Sequence, residues 1–516
     1  MKKVRKNFVE ALETQNSKTK TLTENGAVSY ETTGKYLLDF NFKLSQYRNM
    51  SVEDIKQDFS KVYFEDPMLA IKFVFYCGDV REGLGERRTF NTCIEWLAEN
   101  KPNIVLELLK FIPEYTRWDN LVKLIRSQNK TISTKVAVII GNQLIEDLDN
   151  MATGKPISLC AKWLPSINAS SVETRHLASV LCSKLNLTPR RYRKTLSALR
   201  KYLDVVEVKM SSNRWDEINY AKVPSLANLK YADAFYRNDT DRRVDYLNSL
   251  KEGKTKINAS VSQPHEIVRK YYSQPNTWWH DIKEVDTTLE EMWKSLPDVS
   301  VEDSLIVRDG SGSMCCSVNG NSKTTCLDVA TALTIYCAEH NSKAWRDKFI
   351  TFSSRPKFVD LSNCVTLRDK LLRCDAEDDC SNTNIEATMR LILETAIENN
   401  LSQDEMPKNI VIISDMQFDA RRGSFHWNKT LFEQIAEDYI KAGYRLPKIC
   451  FWNVCSRDFN TIPMQNNKLG LVLCSGFSIM NMNMFMSGEI NPYKVLIEQL
   501  NKNRYDCIEG AVKNII

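Results

Sequence analysis

The chain has 516 residues, 43% hydrophobic and 26% charged, with a formal net charge of +5. That length exceeds one ordinary core and implies two or three domains of a globular protein. No stretch approaches the roughly 18 apolar residues of a membrane span, and the basic start Met1-Lys2-Lys3-Val4-Arg5-Lys6 leads into Glu10 and Glu13, so neither a span nor a secretory leader is expected.

The 15 cysteines are scattered, odd in number and without a Cys-x-x-Cys pair. His176, His265, His280, His340 and His426 are not spaced with them as zinc ligands. They read as reduced thiols of a cytoplasmic or nuclear protein. Charge is uneven: residues 301–516 carry 24 basic and 27 acidic side chains, which leaves 46 basic and 38 acidic in residues 1–300. The amino-terminal part is the basic one, though modestly so for a nucleic-acid binder.

Residues 1–35 are polar and rich in Thr, Asn and Gly, which predicts a loosely ordered segment. From Leu37 the pattern is helical, with segments such as Pro67 to Tyr76, Phe90 to Asn100, Ile104 to Phe111, Asn120 to Ser127, Thr134 to Leu148 and Ala178 to Leu185. Pro102, Pro113, Gly154, Pro165 and Pro189 separate them at intervals suited to helical hairpins. No exact repeat is present, so an irregular solenoid and a compact bundle both fit.

Within this helical half, Asp79 to Arg88 holds Gly83 and Gly85 and reads as a sharp helix–helix connection. It is not a dinucleotide fingerprint, because no strand precedes it and the third glycine is missing. Trp118-Asp119-Asn120-Leu121 and Arg214-Trp215-Asp216-Glu217 read as a core Trp followed by an Asp that caps the next helix. The densest basic stretch runs from Asn186 to Tyr202, with Thr188 as cap and Pro189 in the first turn of a helix. Arg190, Arg191, Arg193, Lys194, Arg200 and Lys201 lie on it, Leu196, Leu199 and Leu203 form its buried side, and Tyr192 and Tyr202 are interleaved as base-stacking candidates. A solvated helix face fits the same pattern.

A linking helix capped by Asp286-Thr287 and ended by Pro297 marks the boundary near 285–302. Beyond it strands alternate with helices. Strands are expected at Ser304–Arg308, Lys348–Phe352, Asn409–Ser414, Lys448–Val454 and Gly470–Cys474. Helices are expected at Cys326–His340, Leu367–Cys374, Ile385–Ile397, Leu431–Ala442 and Pro492–Lys502. Apolar strands in this alternation predict a mostly parallel sheet covered on both faces.

The most informative segment is Ser304-Leu305-Ile306-Val307-Arg308-Asp309-Gly310-Ser311-Gly312-Ser313-Met314. An apolar strand ends in an acid, with two hydroxyls at alternate positions and glycines between them. These are hard oxygen ligands suited to Mg²⁺ or a similar cation, although Asp, Gly and Ser also make ordinary turns. A second strand, Asn409 to Ser414, ends in Asp415, and between the two the polar loop Cys380-Ser381-Asn382-Thr383-Asn384 precedes a helix. Ligands collect at the carboxyl ends of strands in an open α/β sheet, so topology places Asp309, Ser311, Ser313, Thr383 and Asp415 at one site. No nucleophile–base pair adjoins it, so the metal reads as a binding device completed by a partner's carboxylate or phosphate. Cys315-Cys316 lies beside the loop as a redox-sensitive candidate.

The acid, the two hydroxyls, the Thr and the second acid resemble the metal-ion-dependent adhesion site of the von Willebrand factor A (vWA) family. The chain departs from that pattern in having Ser381-Asn382 rather than glycines before Thr383, and Ser414-Asp415-Met416 where Thr-Asp-Gly is frequent. The helical half has a second resemblance. The segments Asp79-Val80-Arg81-Glu82-Gly83-Leu84-Gly85-Glu86-Arg87, Trp118-Asp119-Asn120-Leu121, Arg191-Tyr192-Arg193-Lys194, Val223-Pro224-Ser225-Leu226-Ala227 and Gln263-Pro264-His265-Glu266 together look like the TROVE module of the Ro autoantigen proteins. The likeness is greatest to an uncharacterised family that pairs a TROVE-like region with a vWA domain.

After the segment at 1–35, the resemblance implies an all-α module of HEAT-like repeats over 36–290 and an α/β vWA domain with its metal site over 300–516. It further implies a non-enzymatic RNA-binding protein that takes non-coding RNA, structured or by its single-stranded ends. Candidate RNA contacts are Arg81, Arg87, Arg88, Arg190, Arg191, Arg193, Lys194, Arg200 and Lys201. The alternative is a scaffold in which the metal grips an acidic protein partner and RNA plays no part.

Overall fold

The computed structural model of the protein describes residues 20–22, 28–257, 259, 262–274, 281–320, 322–378, 383–417, 431–454, 471–486, 489 and 491–516. They form two compact units, each discontinuous in sequence. A helical unit takes Val52–Ser262, Thr287–Pro297 and Leu500–Ile516, and an α/β unit takes Met1–Ser51, Gln263–Asp286 and Asp298–Gln499.

In the helical unit, α1 (Pro67–Gly78) starts where the Asp66 side chain accepts from the Leu69 amide at 2.9 Å and Pro67 supplies the first turn. It is buried from Ala70 onward. It stops at Gly78, where a Cβ would stand 2.4 Å from the Phe90 ring on α2 (Arg87–Asn100). The turn between them needs both glycines. A Cβ at Gly83 would collide with the Tyr76 carbonyl at 2.1 Å, and Gly85 has φ +67°. Asp79, buried in this turn, is bound by Arg504 and by the Tyr505 hydroxyl, and Lys72 on α1 pairs with Glu509 at 2.6 Å. The carboxyl-terminal segment therefore completes the helical unit, where the sequence reading assigned it to the α/β domain. The reason is non-local: Tyr505, Ile508 and Val512 find their apolar contacts here.

The basic helix α3 (Pro189–Tyr202) forms as its residues dictate, with the Thr188 side chain accepting from the Arg191 amide. Helices in this unit range from four residues at Ile112–Tyr115 to 23 at Lys130–Ala152. Trp118 and Trp215 are only half-buried, and Asp119 does not cap. It pairs with Arg87 and Arg117, so the expected core-Trp and Asp-cap roles are corrected at both sites.

The α/β unit opens with an antiparallel ribbon of β1 (Lys20–Leu22) and β2 (Val28–Tyr30). Within the segment expected to be loosely ordered, residues 20–22 and 28–30 are therefore paired, and residues 1–19 and 23–27 lie outside the described residues. The helix Tyr36–Phe42 is buried from Leu37 to Phe42 and seats on the sheet rather than on the helical module. Asn453 Nδ2 donates to the Phe42 carbonyl at 3.2 Å, and Ser45 Oγ donates to the Asn453 carbonyl at 2.9 Å.

The central sheet holds β3 (Ser304–Asp309), β4 (Lys348–Phe352), β5 (Phe358–Asp360), β6 (Asn409–Ser414), β7 (Lys448–Asn453) and β8 (Leu471–Ser475), in the order β5-β4-β3-β6-β7-β8. All neighbours are parallel except the edge pair β4–β5. Strand β3 is buried at every position and β6 to β8 nearly so, as a sheet covered on both faces requires. Its helices include α4 (Pro264–Tyr271), α5 (Cys326–Glu339), α6 (Leu367–Asp375), α7 (Ile385–Glu398) and α8 (Leu431–Lys441). Because α4 packs on α5, residues 263–286 belong to this unit and not to the helical module. The chain leaves β3 toward β4 on one side and returns to β6 on the other, so the strand order reverses between β3 and β6. That crevice is where an open α/β sheet takes its ligand.

A candidate metal centre at the carboxyl ends of the central strands

Asp309, Ser311 and Ser313 share one loop, Asp415 lies close enough to act on the Asp309 carboxyl, and Thr383 is tied to the turn that follows Asp415. Asp309 closes β3 and is fully buried, and Asp415 follows β6 with 2% exposure. One Asp309 oxygen accepts from the Ser311 amide at 2.9 Å, and the other from the Ser414 hydroxyl at 2.5 Å. The Ser311 and Ser313 hydroxyls lie 2.9 Å apart. Thr383 is buried and donates to the Gln417 carbonyl at 2.6 Å, while the Gln417 amide donates to Asp415 at 3.1 Å. Thr383 and Asp415 are thus tied to one turn. Residues 379–382, expected to form the preceding loop, lie outside the described residues.

Burial, reinforced by the Asp415 carboxylate, pushes the Asp309 carboxyl up to about 7, against the opposing hydrogen bonds from Ser414 and Ser311. A divalent cation between the two acids would remove that penalty, and the Ser311 and Ser414 hydroxyls beside Asp309 keep spare lone pairs. The two carboxylates and the Ser311, Ser313 and Thr383 hydroxyls are hard oxygen donors of the kind Mg²⁺ takes. Among the described residues no group of three or more His, Cys, Asp or Glu suited to a metal occurs.

Two features escape the ligand pattern. Met416 stands where a glycine is frequent and takes φ +65°, fully buried, so the turn keeps a left-handed shape at a cost of about 1 kcal/mol. Beneath the loop, Arg308 is 1% exposed and binds Asp378 at 2.5 Å and the Cys374 carbonyl at 2.9 Å. Burial opposes its charge, and Asp378 more than restores it, so the guanidinium is held firmly protonated. A Cβ at Gly310 would stand 2.5 Å from the Asp378 Oδ1, so a side chain here would have to displace the carboxylate of the buried ion pair. An arginine inside an apolar strand was the available signal for Arg308; Asp378 had none.

The nine basic candidates separate into different roles. Arg190, Arg191, Arg193, Lys194 and Lys201 are exposed on α3, and no ion pair holds them among the described residues. Arg200 is corrected: it points inward and donates to the carbonyls of Ala161 and Leu164 and to Ser166 Oγ, at 2.7–2.8 Å. Tyr192 is also corrected, being fully buried with its hydroxyl on the Pro165 carbonyl, so its ring cannot stack on a base. Arg81 donates to the Glu114 carbonyl, Arg87 binds Asp119 and Asn120, and Arg88 is half-buried in the first turn of α2.

A helical unit joined to an α/β unit with an acid–hydroxyl cluster at its switch point defines the class of protein. The particular family follows from comparison. The family described as "Domain of unknown function (DUF2828)" matches residues 23–120 and 114–302, and the chain belongs to it. A second family, "Domain of unknown function (DUF7788)", matches residues 303–509, beginning one residue before β3. "Uncharacterized protein L728" of Acanthamoeba polyphaga mimivirus is 30% identical over 517 residues, spanning 93% of this chain and 86% of that protein.

Proposed function

We propose that the protein is a non-enzymatic binding protein whose α/β unit holds Mg²⁺ through Asp309, Ser311, Ser313, Thr383 and Asp415. The observation that carries this reading is a fully buried Asp309 whose carboxyl the nearby Asp415 pushes up further, with the paired Ser311 and Ser313 hydroxyls on the same loop, an arrangement that a cation would stabilise. Hydroxyl ligands leave the ion short of negative charge, so a carboxylate or phosphate oxygen of a partner completes its coordination. The likeness to a vWA adhesion site supports the same reading.

Calorimetric titration with Mg²⁺ tests it. Saturable binding by the native chain, weakened at least tenfold in Asp309→Asn and in Ser313→Ala with helicity unchanged, is the expected result. Native protein that ignores millimolar Mg²⁺, or variants that bind it undiminished, would end the proposal.

A second reading is that the helical unit binds RNA, as the Ro-type TROVE likeness and a HEAT-like arrangement imply. One observation favours it: Arg190, Arg191, Arg193 and Lys194 project from one end of α3 without acidic partners among the described residues. Phosphate contacts of this kind make affinity fall with salt. Reversing all four charges is expected to abolish binding to single-stranded RNA and to flatten the salt slope by about 3. If affinity and slope persist, α3 is not the contact, and a metal-dependent protein scaffold without RNA becomes the better account.

A further inference from the structure

We propose that Cys316 and Cys326 form an oxidisable thiol pair that closes to a disulfide beside the metal loop. Their sulfurs lie 3.3 Å apart. The pairing is built into the backbone: Ser317 and Thr325 form an antiparallel bridge, the Cys326 amide donates to the Cys316 carbonyl at 3.0 Å, and the Val318 amide donates to Thr324 at 2.9 Å. Residues 316 and 326 are therefore cross-strand neighbours one position from the bridge. Such positions place Cα atoms about 5.5 Å apart, inside the ~4.4–6.8 Å range of disulfides. Closing to a bond of about 2.05 Å needs a movement of only ~1.2 Å.

Access separates this pair from a second close one among the described residues. Cys450 and Cys474 lie 3.7 Å apart on β7 and β8, and both are buried in the sheet. Cys316 is half-exposed at the surface of the metal loop, whereas Cys326 is buried at the start of α5. The more accessible thiol is the one a reagent meets, and the buried one resolves the intermediate. A low-molecular-weight disulfide is the oxidant. The Cys316 thiolate attacks one of its sulfurs and expels the first small thiol, which takes up the proton Cys316 lost. The Cys326 thiolate then attacks the Cys316 sulfur and expels the second, which takes up the proton of Cys326. Two protein thiols are oxidised and one small disulfide is reduced to two thiols.

The pair acts on the ligand loop. Cys316 ends the turn that carries Ser313, its amide donating to the Ser313 carbonyl at 3.3 Å. Drawing the Cys316 sulfur toward α5 pulls on that turn and moves the Ser313 hydroxyl. The consequence for cation affinity rests on the metal reading above; the disulfide itself does not.

The full chain is equilibrated in glutathione buffers of rising oxidised fraction, the remaining thiols are alkylated, and tryptic peptides are mapped. Cleavage at Arg308, Lys323 and Lys343 puts Cys316 and Cys326 on separate peptides, so a link joins 309–323 to 324–343. It is expected in the native chain and in Cys315→Ser, and absent in Cys316→Ser and in Cys326→Ser. No link, or one through Cys315 or Cys337, overturns the proposal. Mg²⁺ titration of both redox states is expected to show several-fold weaker binding when oxidised, reversed by reductant. Equal binding in both states would refute the coupling alone. Absence of binding in both would refute the metal reading, leaving the peptide map to decide the thiol pair.

Discussion

Replacing Gly310 with alanine tests how the metal loop is supported. The new Cβ would stand 2.5 Å from the Asp378 Oδ1. Ordinary contact requires a separation about 0.8 Å larger, so the carboxylate must swing away. It cannot do so freely, because it is the counter-ion of Arg308, which is 1% exposed. Removing one partner of a buried ion pair costs about 3–5 kcal/mol. Arg308 keeps its bond to the Cys374 carbonyl, so about 2–4 kcal/mol is expected. In thermal denaturation followed by circular dichroism, that corresponds to a drop of roughly 4–8 °C for a unit of this size. Asp378→Ala supplies the control. If the collision acts through Asp378, the double variant Gly310→Ala/Asp378→Ala is no less stable than Asp378→Ala alone, since the two changes break one interaction. A Gly310→Ala protein within about 0.5 kcal/mol of native stability, or strictly additive losses, would refute the reasoning.

Burial, with Asp378 adding to it and Arg308 opposing, pushes the Asp375 carboxyl up to about 7, and its one bonded oxygen accepts from Tyr272. Below pH 4 both folded and unfolded chains hold this proton; between about 4 and 7 only the folded chain does, so this group's contribution to stability falls as pH rises through that window. Asp375→Asn is expected to remove that part of the slope and to raise stability at pH 8 by up to ~4 kcal/mol, read from melting curves at pH 5 and pH 8; a native-like slope would contradict it. Arg200→Ala is expected to cost about 2–3 kcal/mol, because three acceptors in residues 161–166 lose their donor, whereas Lys201→Ala stays within ~0.5 kcal/mol; equal effects in chemical denaturation would reject the assigned difference. Arg504→Ala leaves the fully buried Asp79 with only the Tyr505 hydroxyl and the Arg81 amide, and a loss of about 3 kcal/mol is expected; an unchanged melting curve would detach the carboxyl-terminal segment from the helical unit.

Short-range pattern was enough for much of this protein. The strand ending in Asp309, the alternate hydroxyls of Ser311 and Ser313, and the second strand before Asp415 are read from local chemistry, because strands, turns and caps are set by neighbouring residues. The same holds for α3, whose Thr188 cap and Pro189 appear as expected. Side-chain direction was harder. Arg200 and Tyr192 sit on a basic helix yet serve the 161–166 segment, and nothing within the helix tells an arginine whether a row of carbonyls faces it.

Tertiary structure alone decided the partition of the chain. Helix Tyr36–Phe42 and residues 263–286 join the sheet, and residues 500–516 join the helices, because an apolar face is indifferent to sequence distance and settles where it excludes most water. The same non-locality pairs Arg308 with Asp378 and Asp79 with Arg504. A buried charge needs a counter-charge, and the sequence records the need without recording which residue meets it.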